Sequence, residues 1–372
     1  MKIFEHNVLG VYNRTLSSKP WSPPGVSLIA ARRIWPSTRG ENTVVAILDT
    51  GIDYRHPDLK YNIIGGISFV PEEKDHLDLN GHGTHVAGTI GANGRLLGVG
   101  PQCKLLAVKV LDRNGAGSYQ GIIKGLEYAR RWKGPAGEKV SVINMSLGGP
   151  QDNENLHREV KKVMEAGITV VAAAGNEGDG RADTPEISYP AYYKEVVAVG
   201  AINLQSGIAN FSNSNDRIAI VAPGVETYST FPGGKYVKLS GTSMAAPHIS
   251  GAVALIYSRW QKRFKAYPSP LEVKMLLHYA SIDLGETGFD NLYGYGLFSF
   301  NPDGAREIRL FNDSKQYLLN GLSKELSAPV IQNNSISFGP LQEIADLLGT
   351  DANLLMEASE FGNSKGGVEM YV

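Results

Sequence analysis

From residue 43 onward the chain alternates short apolar runs, rich in β-branched residues, with longer segments whose apolar positions recur at helical spacing. Continuous apolar runs suit strands buried on both faces, and a helix between successive strands lets those strands lie parallel. Strands are expected over Thr43–Leu48, Leu105–Leu111, Val140–Met145, Ile168–Ala173, Val196–Ile202 and Arg217–Ala222. Helices are expected over Gly117–Trp132, Asn153–Ala166, Ser243 to about Lys262, and Pro270 to about Ala280. In the second of these, Leu156, Val160, Val163 and Met164 form an apolar stripe, while His157, Arg158, Glu159, Lys161, Lys162 and Glu165 make a solvated face. The third is rich in Ala, Gly and Ile and reads as buried. The pattern predicts an α/β fold, a doubly wound and mostly parallel sheet with helices on both faces.

After Gly294-Tyr295-Gly296 the long β-branched runs stop. Residues 309–372 read as short strands (IRLF, YLLN), a polar stretch and an amphipathic helix over Leu341–Leu348, a small C-terminal α+β appendage with a boundary near 303–308. At the other end, Pro20, Pro23 and Pro24 mark residues 1–20 as an extended arm ahead of a main domain over 21–305.

Charge removes several function classes. Lys and Arg number 36 against 37 Asp and Glu, so there is no electrostatic footprint for nucleic acid or an anionic membrane. No apolar run reaches the roughly 18 residues of a membrane span, and no apolar stretch near the start precedes a small-residue cleavage site, so neither membrane insertion nor export is expected. The single cysteine, Cys103 in CKLLAV, cannot close an internal disulfide and is expected to be a buried thiol. These features point to the cytoplasm, with a secreted or wall-associated protein as the alternative. Glycine is the anomaly: 43 of 372 residues, about 12% against a usual ~7%.

The excess gathers at predicted strand exits: Asp49-Thr-Gly51, Asn80-Gly-His82-Gly-Thr-His85, Ser146-Leu-Gly148-Gly149, Ala174-Gly175-Asn176 and Ser240-Gly241-Thr-Ser243. In an open parallel sheet the ligand crevice lies beyond those ends. Alone, Asp49 reads as a turn residue, His82 as a packed hydrogen-bonder at the start of a small-residue helix, Ser243 as an N-cap and Asn176 as a turn residue. Together they supply a hydroxyl, a base to take its proton, a carboxylate to orient that base, and an amide to receive an oxyanion. A zinc reading of His82 and His85 lacks the Glu of H-E-x-x-H and a third ligand. A dinucleotide-binding reading lacks G-x-G-x-x-G after the first strand.

AILDTGIDYRHPDL, NGHGTHVAGTI and GTSMAAPHISGAVALI resemble the three active-site motifs of subtilisin-like serine proteases of the peptidase S8 family. The chain order Asp, His, Ser is the one already known for that family, and it belongs to the resemblance. The similarity runs from about Pro24 to Ala305 and is nearest to intracellular subtilisins of Bacillus-type bacteria, in NMSLGGP, VVAAAGNEGDG and ISYPAYYKEVVAVGA. The resemblance implies a serine endopeptidase with Asp49, His82 and Ser243 as triad and Asn176 as oxyanion donor. The alternative is a catalytically silent peptide-binding protein of the same fold.

The resemblance further implies that Gly115, Ala116 and Gly117, with Ser146, Leu147 and Gly148, pair with an extended peptide as added strands. Ala173, Ala174 and Ser188 correspond to a pocket for an apolar or aromatic side chain before the scissile bond. Calcium is the implied cofactor. Asp58 matches a ligand of the family's strong site, although the loop Asn93–Val99 is about three residues shorter than the family's metal loop. Polypeptides are the implied partners, and the arm matches a short inhibitory extension that crosses the cleft. The tail weakly resembles a copper-amine-oxidase N-terminal-like (stalk) domain, without copper, since residues 309–372 hold no His or Cys.

Overall fold

The computed structural model describes residues 1–3 and 20–300 in full, together with the backbone of seven further strands: β1 (Val8–Tyr12), β13 (Ile308–Leu310), β14 (Ser314–Leu319), β15 (Leu322–Asn333), β16 (Ile336–Phe338), β17 (Phe361–Ser364) and β18 (Gly367–Met370). The helix expected over Leu341–Leu348 lies outside the described residues.

The main sheet has nine strands: β2 (Val44–Asp49), β3 (Ile63–Ser68), β4 (Lys104–Lys109), β5 (Val142–Met145), β6 (Thr169–Ala173), β7 (Val197–Ile202), β8 (Ile218–Pro223), β11 (Ser281–Ile282) and β12 (Leu297–Phe298). Their order is β11-β12-β8-β7-β6-β5-β2-β4-β3, and every pairing is parallel except β11 with β12. The fold is therefore the expected α/β arrangement with its doubly wound sheet.

Alternation along β2 shows how both faces are covered. Val45 and Ile47 join the cluster that holds Val86 and Ile90 of α3 (His82–Gly91) and Ala245, Ile249 and Val253 of α6 (Thr242–Phe264). Val44, Ala46 and Leu48 point the other way, into the cluster holding Ile122 and Leu126 of α4 (Tyr119–Arg131) and Leu156 and Val160 of α5 (Glu154–Glu165). All five β2 side chains are at most 1% exposed, so a charge at any of them would be uncompensated in the core. The buried helix α6 can lie against the sheet because its inner residues are small.

Local signals set the helix starts. Ser118 and Asn153 accept N–H bonds as N-caps of α4 and α5, and Ser269 with Glu272 closes a capping box on α7 (Pro270–Tyr279). Two short helices, α1 (Pro24–Leu28) and α2 (Ala31–Ile34), lead into β2.

The expected strand over Leu105–Leu111 ends early, at Lys109. There the N–H groups of Val110 and Leu111 turn to the Asp49 carbonyl at 2.9 and 3.2 Å. A second sheet joins β1, β10 (Lys235–Leu239) and β9 (Thr227–Phe231), all antiparallel. The tail strands form a third sheet in the order β16-β15-β14-β13-β18-β17.

Candidate active site

Strand β2 carries Asp49 at its carboxyl end, and α3 begins at His82 directly across from it. Both side chains are fully buried, and His82 Nδ1 donates to Asp49 Oδ1 at 2.7 Å. A carboxylate can only accept, so Nδ1 carries the hydrogen and Nε2 is the basic nitrogen. The close approach requires glycine on both sides. A Cβ at Gly83 would collide with the Gly51 carbonyl, and Gly51 itself has φ +105°, where a side chain is strained.

Ser243 sits in the first turn of α6, where Thr242 N–H goes to Asn176 Oδ1 and Met244 N–H to the Gly241 carbonyl at 3.0 Å. Ser243 Oγ donates to the Ser146 carbonyl at 3.2 Å. Pro247 lies four residues further on and has no N–H to return to the Ser243 carbonyl. That carbonyl accepts Ser146 Oγ instead, at 2.9 Å. Ser146 Oγ accepts Asn144 Nδ2 at 3.0 Å, and Asn144 Oδ1 accepts Ser250 Oγ at 2.8 Å. The proline thus exchanges one helix bond for a tether between the serine and strand β5.

Asn176, in the loop after β6, has its Oδ1 fixed by Thr242 N–H at 2.9 Å and Thr242 Oγ1 at 2.8 Å. This fixes the amide plane and brings Nδ2 against Gly241, where an added Cβ would sit 2.9 Å away. Asp49, His82, Ser243 and Asn176 all lie at the carboxyl edge of one sheet, as the glycine clusters required.

The segments expected to hold a peptide are there too, and the chain's own first residues lie between them. Lys2 exchanges two bonds with Gly148, N–H to carbonyl at 3.1 Å and carbonyl to N–H at 3.0 Å. On the other side Ile3 N–H meets the Gly115 carbonyl at 2.9 Å, and Gly117 N–H meets the Met1 carbonyl at 3.0 Å. Lys2 bridges both Gly148 and Ala116 in antiparallel sense. Met1 and Ile3 pack on the cluster that contains buried Leu147. Gly149 then pairs with Tyr189, which places buried Ser188 beside this track, with Ala173 and Ala174 buried at the end of β6.

Asp58 stands apart from this edge. Its Oδ1 accepts Arg95 N–H at 2.9 Å, and its Oδ2 accepts Leu96 N–H at 2.9 Å and Tyr236 O–H at 2.7 Å. Calcium wants oxygen lone pairs around it, whereas this carboxylate faces three hydrogen-bond donors. The residues present do not fit calcium at Asp58. Among the described residues no cluster of three or more His, Cys, Asp or Glu could hold a metal.

Four polar residues that the motifs do not single out, Thr50, Asp78, Lys109 and Glu73, are buried or nearly so beside Asp49. The only sequence signal for Asp78 is its place four residues before His82.

A parallel α/β sheet whose carboxyl edge brings Asp, His, Ser and an amide together has the form of a Ser-His-Asp hydrolase. Residues 40–296 match the model of the subtilase family, peptidase S8, and the chain belongs to that family. It is 47% identical over 273 residues to the intracellular serine protease of Paenibacillus polymyxa, covering 71% of this chain and 82% of the relative. It is 47% identical over 297 residues to the major intracellular serine protease of Bacillus subtilis (strain 168), covering 77% and 90%. Subtilisin DY of Bacillus licheniformis is 42% identical over 283 residues, covering 74% and 96%.

Proposed function

We propose that the chain is a serine-type endopeptidase that cuts peptide bonds through Asp49, His82 and Ser243. The observation that carries the reading is the buried 2.7 Å bond from His82 to Asp49, at the sheet edge where Ser243 opens α6. Ser243 Oγ attacks the carbonyl carbon while its proton passes to His82 Nε2, and Asp49 stabilises the imidazolium. Asn176 Nδ2 and the Ser243 N–H at the start of α6 receive the oxyanion. His82 then gives the proton to the departing amine, leaving an acyl group on Ser243. Water, deprotonated by His82, attacks that ester, and the acid product leaves as Ser243 regains its proton.

The track formed by Gly115–Gly117 and Ser146–Gly148 presents backbone donors and acceptors to an extended chain, and the intact set Asp49, His82, Ser243 and Asn176 favours catalysis over a silent binder. Ala173, Ala174 and Ser188 are assigned to the pocket for an apolar or aromatic side chain. Ser243→Ala should lower casein hydrolysis by about 10⁴-fold or more, and a serine-directed sulfonyl fluoride should label the parent chain at Ser243. An unlabelled Ser243, or hydrolysis that survives the substitution, would sink the reading.

We also assign residues 1–20 a self-inhibitory role, supported by Met1–Ile3 filling the peptide track. Cytoplasmic placement is proposed from the intracellular relatives. Recovery in culture supernatant rather than lysate would reverse it.

A further inference from the structure

Thr50 follows Asp49, and each of its polar atoms is engaged. Its N–H donates to Asp49 Oδ1 at 2.7 Å. Its hydroxyl donates to Asp78 Oδ1 at 2.9 Å and accepts Gly83 N–H at 2.9 Å. Its carbonyl accepts Lys109 Nζ, a fully buried ammonium paired with Glu73 Oε2 at 2.9 Å.

Asp78 reaches the other half of the pair. Its Oδ1 also accepts the N–H groups of Asn80 and Gly81, each at 2.9 Å, in the turn that leads into His82. Its Oδ2 accepts Thr84 N–H at 2.9 Å and Thr84 Oγ1 at 2.6 Å, one turn into α3. The residue is 3% exposed overall and receives five donors. Three are backbone N–H groups, which can only donate, so the carboxylate acts as acceptor at both oxygens. Burial pushes its carboxyl above the usual carboxylate range, against the pull of those donors.

A loop that needed only a turn would be served by one such bond. Here one carboxylate joins the residue after Asp49 to residues on both sides of His82, across the very bond on which base catalysis depends. We propose that Asp78 is a positioning residue for the reaction, which acts through the Thr50 hydroxyl to fix Asp49 against the turn carrying His82. The inference rests on the triad reading above. Asp78 touches no substrate and leaves the peptide track alone, so its removal should misplace the proton-transfer pair without weakening peptide binding.

The test is steady-state hydrolysis of a peptide substrate by the full chain and by Asp78→Asn, Thr50→Val and the double variant, with active sites counted by sulfonyl fluoride titration and thermal unfolding followed in parallel. Displacements of an ångström in a catalytic pair cost up to about 100-fold. Each single variant should therefore lose about tenfold or more in kcat per titrated site with KM within about twofold. The double variant should be no worse than the poorer single one, because both break the same link. A kcat per site equal to the parent's, with only Tm lowered, would make Asp78 a structural residue and overturn the proposal. Additive losses in the double variant would equally remove Thr50 as the route. Should Asp78→Asn not fold, Thr50→Val decides alone, an unchanged kcat overturning the proposal. Ser243→Ala is the separate control, because hydrolysis persisting there would defeat the triad reading whatever Asp78 does.

Discussion

His248 lies in α6 five residues after Ser243, fully buried, with its Nδ1 donating to the Met244 carbonyl at 2.9 Å. Burial pushes its imidazole down to about 4, against the pull of that bond. The unfolded chain takes up the proton near 6.5 and the folded chain only near 4. Between those values the unfolded state holds more protons, so stability falls as pH falls. Comparing unfolding free energies of the parent and His248→Leu from pH 7 to pH 4 should show the parent losing up to about 3 kcal/mol more. A difference that does not change with pH would mean that the ring takes up its proton at the same pH in the folded chain as in the unfolded one. The position of the ring also explains Gly25 of α1, since a Cβ there would sit 2.5 Å from His248 Nε2. Cys103 behaves similarly as a buried group: burial raises its thiol to about 12, so it is inert at neutral pH, as its apolar neighbours had implied.

At the scale of elements, the turn 93–98 after α3 shows how a carboxylate can help to hold a loop through hydrogen bonds. Asp58 holds the N–H groups of Arg95 and Leu96, and Trp21 brackets the same turn with its N–H to the Arg95 carbonyl at 2.8 Å and its carbonyl to Leu97 N–H at 2.9 Å. Removing a buried acceptor leaves its donors unpaired at about 1–3 kcal/mol each in the worst case. Asp58→Ala should lower Tm markedly in calcium and in chelator alike, while chelator alone should leave the parent's Asp58-dependent stability untouched. Rescue of the parent from chelator by calcium, lost in the variant, would show a cation at this carboxylate. The same scale shows what sequence can reveal. The six apolar runs became strands because burial on both faces leaves an unbroken β-branched signature. β3 escaped notice because IIGGIS is half-buried along its length and broken by two glycines. The hairpin β9–β10 escaped because TYSTF and KYVKL mix polar and apolar residues. Asp49, His82, Asn176 and Ser243 were legible because glycine marks them. Asp78 and Thr50 were not, since their importance lies in contacts across some thirty residues of chain that no local spacing encodes.

Over the whole molecule, the arm is the feature that couples distant parts. Met1–Ile3 lies in the peptide track, and β1 extends the β9–β10 hairpin as a third strand, with Val11 opposite Val237 and Tyr12 opposite Tyr236. A chain starting at Ser18 should therefore show a higher kcat/KM than the full chain on a short peptide, with kcat at saturation unchanged, because an occupant of the track competes with substrate and leaves the chemistry alone. Equal kcat/KM values for the two chains would end the self-inhibitory reading.

If Met1–Ile3 inhibits as proposed, its tie to the body it fills sets an effective concentration on the order of millimolar, fixed by the length of the tether and indifferent to dilution. Severing the tether at a single bond replaces that figure with the bulk concentration of a loose peptide, many orders lower in any ordinary preparation. On the self-inhibitory reading proposed above, the arm would work as a one-way latch. On that reading a single cut is not undone at ordinary protein concentrations, which lie far below millimolar.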